Sequence, residues 1–196
     1  CNEEWHYRPI DVDLAMPWRV MLKWRVSTLA GFEGGTRIYL KTPRLRGLLA
    51  LTLTAAAASA MVIVNTTVLV LGDLGRTQSD AALLLAAYGG GSMIVALTMP
   101  KLLEAVSDRR VMLTGGIALP VLLLAGAGVL AWTDGTPQWV GLLSVWALMG
   151  AATSTILTPS ARLLRRGSTE ENRAAVFAAQ FSLSHLCWLI TYPITG

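Results

Sequence analysis

Asp, Glu, Lys and Arg are absent from five long stretches of this 196-residue chain: residues 48–71, 81–100, 111–132, 139–161 and 174–196. Their absence excludes a water-soluble helical bundle, whose amphipathic helices need a charged face toward solvent. Cysteine is almost as scarce. Cys1 precedes the first stretch and Cys187 lies inside the fifth, which leaves no pair placed for a structural disulfide. The five stretches also lack paired Asp residues, a His cluster of metal-ligand spacing, and any Ser–His or Ser–Lys set aimed at one point, as an intramembrane enzyme would need. Gly89-Gly90-Gly91-Ser92 has neither the Lys nor the strand context of a phosphate loop. These absences give no reason to expect an enzyme, a bound metal or a cofactor.

Apolar residues make up 54% of the chain. Each charge-free stretch holds about 20 residues, and at about 1.5 Å per residue it can cross a hydrocarbon layer of roughly 30 Å. The expected fold is therefore all-α: a polytopic membrane bundle of five transmembrane helices over residues 48–196, behind a polar segment of residues 1–47. The Lys and Arg residues sit almost entirely on one side of the spans. Arg76 is the lone exception, since the other 15 of 16 precede the first stretch, separate the second from the third, or lie at or between the ends of the fourth and fifth. The positive-inside bias then places the N-terminal segment in the cytoplasm and the chain in the cell membrane as a multi-pass protein. A lipid bilayer is the implied partner. The net charge of +4 follows from these flanking residues and does not point to nucleic acid.

Within the N-terminal segment, Pro17 opens an expected helix with Trp18, Met21 and Leu22 on one side and Arg19 and Lys23 on the other. Such a helix suits either the membrane interface or the cytoplasmic ends of the bundle. Gly34-Gly35 breaks it, and Thr42-Pro43 punctuates the approach to the first span. Short connections make sequential spans antiparallel. Ser79-Asp80 reads as a helix start, Pro100 closes the second span, and residues 161–173 read as an internal loop in which Ser168-Thr169-Glu170-Glu171 caps the next helix. Small residues crowd certain faces: Ala87, Gly91, Ser92 and Ala96, then Gly126-Ala127-Gly128 and Gly150-Ala151-Ala152. They predict close approach between helix backbones.

Polar residues form helical stripes. Gln180, Ser184, Cys187 and Thr191 share one face of the fifth span, Thr54, Ala58, Met61 and Asn65 one face of the first, and Ser144, Leu148, Ala151 and Thr155 one face of the fourth. Asn65, Gln180 and Ser184 are candidates to line a substrate cavity, where they would hydrogen-bond a solute among apolar walls. The competing role is a bond to a neighbouring helix or to their own backbone. His185, the one strongly ionisable side chain inside a span, is a candidate proton relay or a neutral ring bonded to a neighbour.

Three stretches resemble the major facilitator superfamily of transporters. They are the basic run Gly35-Thr36-Arg37-Ile38-Tyr39-Leu40-Lys41-Thr42-Pro43-Arg44-Leu45-Arg46 into a span, the small-residue helix Ala87-Tyr88-Gly89-Gly90-Gly91-Ser92-Met93, and Ser107-Asp108-Arg109-Arg110 between the second and third spans. The last is similar to that family's cytoplasmic loop motif, although Glu104 replaces its leading Gly and Val111-Met112 interrupts its closing basic group. The resemblance implies the end of a central cytoplasmic loop plus helices seven to eleven of a twelve-helix fold. The absent N-terminal half and last helix would be the natural partners. It also implies secondary active transport of a small-molecule substrate by alternating access, and the lack of charged pocket groups suggests efflux. Asp108 and Arg109 would form a conformational-switch loop, with counter-charges expected from the other half. The reading that competes with transport is a membrane scaffold or accessory subunit.

Overall fold

Thr42 is extended because Pro43 disfavours helical geometry in the residue before it, so the helical residues 34–41 stop there. Pro43 then becomes the first residue of α1 (Pro43–Val68), where its lack of an N–H costs nothing. This computed structural model describes residues 34–196, and the helix expected around Trp18 and Lys23 lies outside the described residues. After α1 come a π-helical turn (Leu69–Asp73), α2 (Gln78–Ala105), α3 (Asp108–Trp132), α4 (Gly135–Leu157), α5 (Ser160–Arg166) and α6 (Arg173–Thr195). Every regular element among the described residues is helical. Five helices are long and apolar enough to cross a membrane, one for each charge-free stretch.

The helix ends differ from expectation in three places. The first turn of α2 begins two residues early, because Thr77 and not Ser79 is the cap. The Thr77 hydroxyl accepts from the Asp80 N–H at 3.3 Å, and the Asp80 carboxylate accepts from the Thr77 N–H at 3.1 Å. Pro100 does not close α2, which runs through it to Ala105. A proline forfeits one backbone bond, a loss that neighbouring groups offset in membrane-type helices. Finally, the expected loop of residues 161–173 contains α5, and Ser168 to Glu171 form a turn and not a helix cap. Asn172 precedes α6, and its side chain accepts from the Thr169 N–H at 2.9 Å.

Packing is not sequential. α4 lies between α2 and α3 and touches both extensively, while α1 packs mainly on α6 and borders α3, α4 and α2 more lightly. Glycine makes the closest of these approaches possible. A Cβ on Gly91 of α2 would overlap the Ala147 carbonyl of α4, and one on Gly150 would overlap the Tyr88 carbonyl of α2. Gly115 of α3 sits as tightly against Ala152 and Thr155. The small-residue faces at Gly91 and Gly150 thus pack as expected, whereas around Gly126-Ala127-Gly128 no neighbouring backbone comes close: Gly126 meets only the Val145 and Trp146 side chains, and Ala127 is exposed. Buried side chains concentrate on α1 and α4. By contrast, Leu97, Leu124, Leu189 and Ile194 on the outer helices are 69–77% exposed. Water would make such surfaces stick together, whereas lipid tails solvate them.

The bundle has one basic end. The starts of α1, α3 and α6, the end of α2 and all of α5 gather there, and Leu45 packs beside Gly167. The opposite end carries Arg76, whose guanidinium lies 4.2 Å from the ring centre of Trp139 and 3.8 Å from Asp80.

Candidate functional site

Asp108 is the first residue of α3, so its carboxylate sits at a helix N-terminus, where unpaired N–H groups favour negative charge. It is 5% exposed. Its Oδ2 accepts from Arg166 Nη1 at 2.9 Å and lies 3.7 Å from Arg162 Nε. Both arginines come from α5, one turn apart, and about half of each side chain is exposed. The geometry is a clasp: a buried acid on α3 held by two basic arms that reach in from the surface of α5. The sequence puts Asp108 in a loop, with its counter-charges expected from the other half of a larger fold; in the structure it opens α3 and is paired with α5. Those counter-charges lie in this chain, on a helix that the loop reading hid. The i, i+4 spacing of Arg162 and Arg166 was the available signal. Arg109 is exposed and makes no ion pair among the described residues, so the clasp does not include it.

Asn65 borders a crevice of about 260 Å³ between α1, α3 and α4. Its walls are Met61, Leu122, Leu123, Leu130, Trp146 and Met149, with Asp73 also on its lining. The Asn65 amide donates to Thr195 O at 3.1 Å and approaches Met61 Sδ at 3.2 Å, which ties α1 to the end of α6. The Trp146 indole N–H is already committed to Thr66 Oγ1 at 2.9 Å.

The other cavity candidates lie elsewhere. Gln180 accepts from the hydroxyl of Tyr39, a wholly buried residue just ahead of α1. Burial pushes the Tyr39 phenol up from its ordinary range, so it stays a proton donor at physiological pH. Gly35 also rests against the Ala175 backbone, so residues 34–41 are strapped to the start of α6 at two points. The Ser184 hydroxyl bonds Phe181 O at 2.8 Å in its own helix. His185 is exposed on α6, with Nδ1 2.7 Å from Phe181 O and its ring 4.1 Å from that of Phe181. Gln180 and Thr195 are 15 residues apart, about 22 Å along the helix, so the α6 stripe does not gather at the Asn65 crevice. Ser144, Thr54 and Thr155 likewise bond their own helix carbonyls.

A polar knot at the centre was not anticipated. The Tyr88 hydroxyl lies 2.7 Å from Ser59 Oγ and 3.1 Å from Thr153 Oγ1, and so joins α1, α2 and α4. Tyr88 is the sole tyrosine of α2, the one local hint that its hydroxyl needed partners.

Residues 1–63 match a family described as a domain of unknown function (DUF4921), a region that takes in the N-terminal segment and most of α1. No curated protein and no solved structure matches the chain.

Proposed function

We propose that the chain forms part of a secondary active transporter of the major facilitator type, which moves a small solute across the cell membrane by alternating access. Its five spans would correspond to helices seven to eleven of that fold, with the N-terminus in the cytoplasm. The Asp108 clasp carries this reading. Alternating access requires contacts at one end of a bundle that hold one state and release in the other. A buried acid gripped by two half-exposed arginines suits that task, because the arms can swing into solvent while the acid keeps its helix N-terminus. The clasp lies between the second and third spans, at the basic end, where the Asp-Arg sequence resembles the family's loop motif. Apart from His185, the spans carry no strongly ionisable group in their interior, so an ion-coupling residue belongs to other helices of the complete transporter in this account. The chain works with a bilayer, a small solute and those further helices.

The test is Asp108→Asn in the complete reading frame. It is expected to raise thiol labelling at cysteines placed near the basic end, and Arg162→Ala/Arg166→Ala should do the same. Unchanged labelling at both ends in both variants would overturn the switch.

A further inference from the structure

The crevice beside Asn65 has an unusual inventory of polar groups. Its Trp146 N–H is spent on Thr66, and the Asn65 N–H groups face Thr195 O and Met61 Sδ. Two acceptors are left over: Asn65 Oδ1, and the carboxylate of Asp73 at the end of the π-helical turn. Neither has a hydrogen-bond or ion-pair partner among the described residues. Arg76, the nearest cation in sequence, is engaged with Asp80 and Trp139. Asn65 and Asp73 are eight residues apart, roughly 12 Å along the helix, and the walls between them are leucine, methionine and tryptophan.

From this we infer that the crevice binds a small cationic amphiphile: an apolar body carrying a protonated amine. The chemistry follows from the inventory. A site with acceptors only, one of them anionic, rewards a ligand that donates and is positive, and it repels an anion. The apolar walls favour a hydrocarbon or aryl body, and Met61 and Met149 can reshape around different bodies. Trp146 adds an aromatic surface that attracts cations. The π-helical turn contributes by offsetting the last residues of α1 from the regular helical register, just where Asp73 joins the crevice.

The inference rests on the transporter reading for its purpose, a solute site. Equilibrium binding involves no turnover, however, so its failure would leave the Asp108 clasp untouched, and the reverse also holds. The experiment is calorimetric titration of the chain in lipid nanodiscs, with empty nanodiscs subtracted. The probes are 4-phenylbutylamine, its neutral analogue 4-phenylbutan-1-ol and the anion 4-phenylbutyrate. The amine is expected to bind saturably and about tenfold more tightly than the alcohol, and the anion not at all. Asp73→Asn, at an exposed position that tolerates change, should erase the preference for the amine and leave the alcohol unaltered. Ala127→Phe, which intrudes into the crevice, should weaken both. Absence of saturable amine binding would overturn the proposal and favour a polypeptide segment as the occupant. So would an amine preference that survives Asp73→Asn, or binding that ignores Ala127→Phe.

Discussion

A Cβ on Gly150 would land on the Tyr88 carbonyl, so glycine there is a requirement of the α2–α4 interface and not a default. Gly150→Leu should cost about 3 kcal/mol or more, because backbone cannot move aside as a side chain can. Gly72→Ala, which meets nothing within 4 Å, should stay within about 0.5 kcal/mol of the parent. Thermal unfolding of both variants in detergent checks the contrast; equal losses would refute it. His185 is remote from this interface, exposed and bonded to its own helix. His185→Ala is therefore expected to leave both amine binding and the pH dependence of transport unaltered, and a displaced pH profile would restore it as a relay. At this scale the sequence was informative wherever chemistry is local. Small-residue runs announced the close approaches at Gly91 and Gly150. Tyr39 and Gln180, 141 residues apart, left no local trace of their contact.

Helices α5 and α6 show what decides structure at the element scale. Arg162 and Arg166 reach Asp108 only because residues 160–166 form a helix; in the expected loop the two would have had no common face. The strap of residues 34–41 on α6 depends on the buried Tyr39 phenol. Tyr39→Phe keeps the ring and removes one hydrogen bond worth about 1 kcal/mol. Amide exchange of residues 34–41 should then run roughly fivefold faster, as read by mass spectrometry in detergent. An unchanged rate would mean that Gly35 and Ala175 alone hold the strap. Span positions were legible from the missing charges, whereas helix ends were less so. Pro100 looked like a terminus, yet α2 passes through it, because a single lost backbone bond does not stop a helix embedded among others.

For the molecule as a whole, the solvent is the governing variable. Leu124 and Ile194 face outward on helices that bury little of themselves, an arrangement that only lipid makes comfortable. The same fact explains why the packing order was not legible. Helices that are apolar all round have no polar face to show which side turns inward, so nothing announced that α4 lies between α2 and α3. Charge supplied the remaining global information, because it sorts the two ends of the bundle. Arg76 and Arg165 stand at opposite ends. The most direct test is a pair of single-cysteine variants, Arg76→Cys and Arg165→Cys, with Cys1 and Cys187 replaced by Ser, labelled in sealed cells by a thiol reagent that does not cross membranes. The account predicts labelling of residue 76 in intact cells and of residue 165 only after the membrane is opened. Labelling of both from one face would contradict it.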